Sequence, residues 1–230
     1  MVPPAGPAFP DTGRVSERTV RAYIGLGANV GDAEATLTEA VRVLAALPGT
    51  RLRGVSRLYA TEPVGVIDQP EFRNAVVALD VPALPDPERG SIALLSALKA
   101  LEREFGRRTR ERWGPRELDL DLLVFGRARV NIERPPAARS NDASSDPAKA
   151  AKVLEVPHPA AASRLFVLAP LADLAPRLVP PGWGETVETA RRRQEGTEGP
   201  GAVRAIGGWD GARRRWRTGH PLARRTAQPR

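Results

Sequence analysis

Residues 112–125 read RWGPRELDLDLLVF and contain the strand around which the fold is predicted. Leucines alternate with Asp119 and Asp121 in this stretch, which is the two-residue period of a β-strand. The strand therefore directs both carboxylates to one face of its sheet and the leucines to the other. Two carboxylates roughly 6–7 Å apart along one strand face repel each other unless a cation lies between them.

The chemistry of this stretch favours a site for a metal–polyphosphate substrate. Hard oxygen ligands suit Mg²⁺, which typically takes one or two carboxylates together with substrate phosphates. Arginines cluster just before the strand, between Arg107 and Arg116, and a planar guanidinium binds oxyanions through paired hydrogen bonds. The alternative is that the aspartates form the solvated face of an edge strand and that the arginines are solvated beyond a helix end. The compact turn at residues 113–115, which ties the arginines to the aspartates, favours the site.

Composition restricts the classes of function. The chain has 230 residues, no cysteine and two histidines, which suits one domain with appendages or at most two small domains. Disulfides, thiol catalysis and cysteine-based zinc sites are excluded. No apolar run approaches the length of a transmembrane helix, and the Pro- and Gly-rich residues 1–18 are predicted to be a disordered leader. We therefore expect a cytoplasmic protein without a membrane partner.

The net charge of +8 is concentrated near the C-terminus, because arginine is in excess between residues 191 and 230. A segment this rich in Arg, Gly and Pro is expected to stay disordered. We predict a folded domain over residues 19–182 and a disordered tail over residues 183–230, which contacts polyanions only non-specifically. Residues 134–153 are rich in Ala, Pro, Ser and Asp without periodicity, and are predicted to be a flexible insertion.

Working outward from the aspartate strand, apolar periodicity predicts the element order β-α-β-β-α-β. Strands are predicted at 20–28, 55–61, 74–81 and 117–125, and helices at 32–47 and 86–105, with a short apolar helix at about 164–174. This order matches the split βαβ, or ferredoxin-like, unit. We therefore predict an α+β fold, a ferredoxin-like βαββαβ sandwich whose antiparallel sheet has helices packed on one face. Such a fold does not by itself select a function.

Four motifs, taken together, resemble the 6-hydroxymethyl-7,8-dihydropterin pyrophosphokinase family. In chain order they are residues 22–29 (AYIGLGAN), residues 56–75, the stretch 112–123, and residues 156–166. The glycines of the first motif do not form a Walker P-loop, because Gly-Lys-Ser/Thr is missing. The resemblance spans residues 20–180 and implies transfer of the pyrophosphoryl group of ATP to the hydroxymethyl group of 6-hydroxymethyl-7,8-dihydropterin, with release of AMP, in folate biosynthesis.

The resemblance also implies roles for individual residues. By position, Asp119 and Asp121 hold two Mg²⁺ ions against the phosphates of ATP, and either Asp121 or a metal-bound water is the candidate base. The implied phosphate-clamping arginines are Arg107, Arg112 and Arg116, with Arg116 nearest the chemistry. The implied nucleotide contacts are Glu102, Trp113, Leu122, His158 and Arg164. The implied pterin contacts are Thr61, Pro63, Val64, Phe72, Asn74 and Phe166, in which the two phenylalanines stack on the flat bicycle.

The sequence departs from the family pattern in the arginine loop. Gly106 is followed by Arg107-Arg108-Thr109-Arg110, so the family's second loop arginine is displaced by one position, and either Arg108 or Arg110 takes its role. The expected partners are the two small-molecule substrates, with no specific nucleic acid, and the chain is expected to be a monomer.

Two other functions are compatible with the fold. One is a non-catalytic RNA-binding module, since such sheets expose aromatic residues and arginines to RNA. Carboxylates on the binding face disfavour it, because they repel a phosphate backbone. The other is a degenerate pyrophosphokinase kept as a scaffold, which the retention of both aspartates and Arg116 disfavours.

Overall fold

The computed structural model describes residues 18–63, 69–106, 115–134 and 152–218. The strands are β1 (Thr19–Ala28), β2 (Arg51–Val55), β3 (Leu58–Thr61), β4 (Phe72–Pro82), β5 (Asp119–Phe125), β6 (Val130–Glu133), β7 (Lys152–Val156), β8 (Val203–Asp210) and β9 (Arg215–Thr218). The helices are α1 (Ala33–Ala46), α2 (Pro87–Glu104), α3 (Leu165–Leu174) and α4 (Val187–Glu198), and a 3₁₀ turn spans Ala161–Ser163. One antiparallel sheet has the order β5-β1-β4-β3-β8-β9, with β2 also paired to β4, and β6 pairs with β7 in a separate ribbon.

Both long helices begin where the sequence signals predicted. The Asp32 carboxylate accepts a hydrogen bond from the backbone of Ala35 at 3.0 Å, and that of Asp86 accepts one from Arg89 at 2.7 Å. Each is the N-cap interaction that satisfies an otherwise unpaired amide in the first helical turn. The predicted single strand at 55–61 is wrong, because β2 and β3 are separate strands. Between them, the Ser56 hydroxyl accepts a hydrogen bond from Val76 of β4 at 2.9 Å.

The α+β fold with an antiparallel sheet is confirmed, but helices cover both faces of the sheet rather than one. The face covered by α1 and α2 holds the larger apolar cluster, and α3 and α4 pack on the opposite face. Strand β4 explains the difference, because alternate residues of its apolar run 75–79 enter the two clusters. A strand buried on both faces needs a helical layer on each side.

The predicted disordered tail is wrong for residues 187–218, which form α4, β8 and β9. Strand β8 pairs with β3, so that Val203 lies opposite Thr61, and β9 pairs with β8. Trp216 is only 2% exposed and donates a hydrogen bond through Nε1 to the carbonyl of Ser56 at 2.9 Å. The Trp209 and Trp216 rings meet edge to face with centroids 4.8 Å apart.

The remaining boundary predictions concern segments that the structure describes only in part. Residues 1–17 of the predicted leader, 135–151 of the predicted insertion and 219–230 of the predicted tail lie outside the described residues. Within the ranges that are described, no helix combines the length and apolar character needed to cross a membrane.

Candidate active site

The aspartate strand β5 forms one edge of the large sheet and pairs with β1. In this pairing Asp119 lies opposite Gly27, and Asp121 lies opposite Gly25. Leu120 and Leu122 enter the core beneath α1 and α2, whereas both carboxylates and Leu123 line a pocket on the other face. The predicted separation of the aspartates and the leucines that alternate with them onto opposite faces is therefore confirmed.

The pocket lies over strands β5, β1 and β4 and holds about 330 Å³ of empty space, including its open mouth. Its floor contains Gly25 and Gly27, which have no side chains, and Asn74 lies opposite Gly27 on β4. Phe166 of α3 also lines the pocket. A side chain at position 27 would come within 3.3 Å of the Asn74 Oδ1 atom, so the glycine keeps this acceptor open. The pocket thus has two carboxylates on its β5 side, the acidic end, and the Asn74 amide on its β4 side, the amide end, and an aromatic ring also lines it.

Two of the predicted pterin contacts, Asn74 and Phe166, line this pocket, and Thr61 and Phe72 lie beside Asn74 in the sheet. Asn74 is 7% exposed, and its Nδ2 donates a hydrogen bond to the Thr61 hydroxyl at 2.8 Å. Thr61 in turn lies opposite Phe72 across the β3–β4 pair. Phe72 precedes Asn74 by two residues on one strand, so both side chains project from the same face. Pro63 follows β3 and is half-buried.

Arg116 lies directly beside the first aspartate. Its Nη1 atom donates to Asp119 Oδ2 at 2.6 Å, and about a third of its side chain is exposed. The exposed part of the guanidinium retains donors for an incoming oxyanion, because the group carries five N–H bonds in a fixed fork. The backbone amide of Arg116 donates to the Asn29 Oδ1 atom at 2.7 Å.

Asn29 is a buried residue to which sequence reasoning assigned no role. It is 2% exposed at the end of the first motif, and its Nδ2 donates to Gln69 Oε1 at 3.0 Å and to the Pro70 carbonyl at 3.1 Å. Its backbone amide donates to the Arg116 carbonyl at 3.0 Å. One side chain thus joins the chain just before β4 to the chain just before β5. The motif places an asparagine after a strand, but nothing local in the sequence indicates these distant partners.

We predict that Asn29→Ala lowers kcat/KM by roughly tenfold and the free energy of unfolding by about 1–3 kcal/mol. The reason is that the buried groups to which the Asn29 side chain is hydrogen-bonded are left without a partner. Steady-state kinetics and urea denaturation measure the two effects. Asp80→Ala is the control, because Asp80 pairs with Arg21 and Arg53 at the opposite end of β4. Unchanged kcat/KM in Asn29→Ala, or an equal loss in Asp80→Ala, would contradict the prediction.

The outer edge of β5 is covered by two side chains of α2. The buried Glu102 Oε1 atom accepts from the backbone amide of Leu120 at 2.7 Å and from Lys99 Nζ at 2.7 Å. Lys99 also donates to the Leu120 carbonyl at 3.1 Å. An edge strand otherwise leaves its outward backbone N–H and C=O groups unpaired. The Glu102 and Lys99 side chains therefore fix the backbone of Leu120, which lies between the two aspartates. Lys99 was not predicted, since helical spacing alone does not indicate that it reaches a strand edge.

His158 and Arg164 approach the acidic end from the chain that follows β7. The backbone amide of His158 donates to the Leu123 carbonyl at 2.9 Å, two residues beyond Asp121. Burial disfavours the ionised form of Asp121, but the surrounding positive charges outweigh this effect and hold its pKa below the usual range. In order of effect, these charges belong to His158, Lys99, Arg116 and Arg164. Asp121 is therefore ionised at neutral pH, which is the state that binds cations.

Several predicted site residues cannot be placed, and one points elsewhere. Arg107, Arg108, Arg110, Arg112 and Trp113 of the arginine loop, and Val64, lie outside the described residues. The Leu122 side chain is 3% exposed within the core, so only its backbone is available for a nucleotide contact. Among the residues that are described, no group of three or more His, Cys, Asp or Glu side chains is arranged to hold a metal ion.

The antiparallel α+β sheet thus carries two carboxylates that line one pocket, and a guanidinium is paired with the first of them. Residues 23–176 match the family described as 7,8-dihydro-6-hydroxymethylpterin-pyrophosphokinase (HPPK). The chain belongs to this family, as the sequence motifs predicted.

Individual relatives agree with this assignment. The chain is 41% identical over 158 residues to a 2-amino-4-hydroxy-6-hydroxymethyldihydropteridine pyrophosphokinase from Pseudomonas aeruginosa, covering 69% of this chain and 82% of the relative. It is 41% identical over 170 residues to the enzyme of the same name from Methylorubrum extorquens, covering 74% and 90%. In fold it is similar to Plasmodium falciparum HPPK-DHPS crystallised with pteroate, with a TM-score of 0.62, 13% identity, and coverage of 87% of this chain and 48% of that one.

Proposed function

We propose that this chain transfers the pyrophosphoryl group of ATP to the hydroxymethyl group of 6-hydroxymethyl-7,8-dihydropterin and releases AMP, a step of folate biosynthesis. Its membership of the pyrophosphokinase family supports this activity. The structural observation that carries the proposal is a single pocket lined by Asp119 and Asp121 at one end, by Asn74 at the other, and by the Phe166 ring. The RNA-binding alternative is not favoured, because two carboxylates on the pocket face repel a phosphate backbone.

The proposed pterin subsite is the amide end of the pocket. The Asn74 Oδ1 atom accepts hydrogen bonds from the amino edge of the pterin, while its Nδ2 remains fixed on Thr61. Phe166 and Phe72 provide the aromatic surfaces for the flat bicycle, since offset stacking suits such rings. Backbone groups near Pro63 and Val64 are proposed to supply further hydrogen bonds. An analogue without the polar edge is then rejected, because the buried amide of Asn74 loses its partner.

The proposed phosphate subsite is the acidic end, where ATP binds with Mg²⁺. The fit of Mg²⁺ rests on the donor set, because Asp119 and Asp121 offer oxygen ligands from one strand face and the ionised state of Asp121 is favoured by its surroundings. Two such ions would neutralise the phosphate charge that opposes attack by the pterin hydroxyl. Arg116 binds the transferred phosphates through the exposed part of its guanidinium, and the family resemblance assigns Arg107 and Arg112 to the same phosphates.

Positioning accounts for the other residues of the proposed nucleotide site. Glu102 and Lys99 hold the backbone of β5 so that the two aspartates keep their spacing. Arg164 provides positive charge beside Asp121 for the nucleotide phosphates, and the His158 imidazole is a further candidate contact. Leu122 contributes a backbone contact, and the family resemblance assigns Trp113 to the nucleotide as well. Because phosphoryl transfer depends mainly on alignment and charge stabilisation, the proposal needs no strong general base, and Asp121 is the candidate if one acts.

The test is to incubate the purified full chain with Mg²⁺, ATP and 6-hydroxymethyl-7,8-dihydropterin and to quantify AMP and ADP. We expect AMP to form only when pterin and metal are both present, and removal of the metal with EDTA to reduce AMP to background. Formation of ADP would instead indicate single-phosphate transfer, and the absence of any product from folded protein would contradict the proposed activity. Cytoplasmic location and a monomeric state stay predictions, to be checked by fractionation and by light scattering.

A further inference from the structure

Helix α4 lies beyond residues 23–176, which match the family, yet it contacts the start of α3. The N-cap residue of α3, Arg164, provides no side-chain cap. The first amide of the helix, that of Leu165, instead donates to Glu198 Oε1 at 2.9 Å. Gln194 Nε2 donates to the same oxygen at 2.9 Å, which holds the carboxylate in place. The last residue of α4 therefore caps α3 from outside.

The capped turn carries two residues of the proposed substrate site. Phe166, which lines the pocket, follows Leu165 directly, and the Arg164 guanidinium lies 5.7 Å from the centre of the Phe166 ring. A carboxylate at a helix N-terminus satisfies an unpaired amide and interacts favourably with the helix dipole. Loss of this cap would free the first turn of α3, and with it the orientation of both side chains.

A second contact between the same segments supports a positioning role. The Arg193 Nη2 atom of α4 donates to the carbonyl of Ala162 at 3.0 Å, in the 3₁₀ turn that precedes α3. The chain that enters α3 is therefore held by α4 at two points, one on each side of Arg164. Neither contact is needed to bury the core, since Glu198 and Arg193 are exposed residues.

We propose that Glu198 is a positioning residue of the substrate pocket, which orients Phe166 and Arg164 by capping α3. The identity of the ligands it serves rests on the function proposed above. The expected consequence is a loss of pterin affinity that exceeds any loss of overall stability.

The test compares Glu198→Ala, which removes the cap, with Glu198→Gln, which keeps an acceptor oxygen for Leu165. Glu195→Ala is the matched control, because Glu195 lies on the same helix and pairs with Arg191 along it. Titration calorimetry with 6-hydroxymethyl-7,8-dihydropterin, in the presence of Mg²⁺ and α,β-methylene-ATP, measures affinity. We expect Glu198→Ala to bind about fivefold more weakly, equivalent to about 1 kcal/mol, and the other two variants to match the wild type.

Hydrogen exchange provides a readout that does not depend on the ligand. Amides of the first turn of α3 should exchange faster in Glu198→Ala than in Glu195→Ala. Wild-type affinity and exchange in Glu198→Ala, or equal losses in Glu195→Ala, would overturn the proposal. If the wild type forms no AMP, the proposed function fails while exchange still decides the role of Glu198. If the wild type is active and Glu198→Ala is unchanged, only the positioning role fails.

Discussion

Asp121→Asn is expected to lower the rate of AMP formation by about 10³-fold or more, which is the scale observed when one charge-stabilising group is removed from an active site. The amide has the shape of the carboxylate but not its charge, so the strand and the pocket keep their form. The positive charges of Lys99, Arg116 and Arg164 then face a neutral group. The substituted site loses the anionic oxygen that a cation requires, and phosphate charge is no longer neutralised next to the attacking hydroxyl.

The measurement is single-turnover AMP formation as a function of Mg²⁺ concentration, together with pterin affinity by calorimetry. We expect pterin affinity to change little, because Asn74 and Phe166 are unaltered. Glu155→Gln is a matched control, since it neutralises a half-buried carboxylate whose partner is Lys152 on the separate β6–β7 ribbon. Near-normal turnover in Asp121→Asn would show that this carboxylate does not hold the metal, and equal losses in both variants would point to a general effect of charge.

Local patterns predicted the elements that carry their own signal. The N-cap signal of Asp32 and the apolar spacing of the second helix predicted both long helices to within a residue or two, and alternation of leucine and aspartate predicted the orientation of β5. Where the signal was ambiguous, the prediction failed. The apolar run from Val55 to Thr61 looks like one strand, and only the hydrogen bond of Ser56 with Val76 shows that the chain bends there.

In the candidate site as well, residues with a local sequence signal were predicted and residues without one were not. Asp119, Asp121, Asn74 and Phe166 were found from motifs, and all four line one pocket. The residues that fix their positions were missed, because their partners are remote in sequence. The side chain of Asn29 bonds to a residue 87 positions away, and no periodicity or composition indicates such a contact.

The C-terminal segment was wrongly predicted to be disordered, because its arginine-rich composition conceals the spacing of its apolar residues. Arginine dominates residues 191–218, and composition rules classify such segments as disordered. The few apolar side chains are nevertheless all used, since Val203, Ile206, Trp209 and Trp216 each contact a buried cluster. The arginines of β9 point outward and remain exposed. Two tryptophans in a short basic segment are therefore a better indicator of order than its net charge.

The second large effect is expected for Trp216→Ala, which should lower the free energy of unfolding by about 3–5 kcal/mol, the usual cost of removing a buried aromatic ring. The ring is 2% exposed in the same apolar cluster as α1, and it packs edge to face on Trp209. Its removal also leaves the buried carbonyl of Ser56 without the Nε1 donor. These losses add, because a cavity and an unsatisfied acceptor are created at one place.

Urea denaturation followed by circular dichroism measures this effect, with Trp216→Phe as the control. Phenylalanine retains most of the ring volume but not the donor, so it should cost only about 1–2 kcal/mol. A small loss of stability in Trp216→Phe and a clearly larger loss in Trp216→Ala would show that packing contributes more than the hydrogen bond. Stability of Trp216→Ala within about 1 kcal/mol of the wild type, less than any buried ring contributes, would mean that β9 does not close the sheet. The β8–β9 segment would then add little to the stability of the fold, as its composition first suggested.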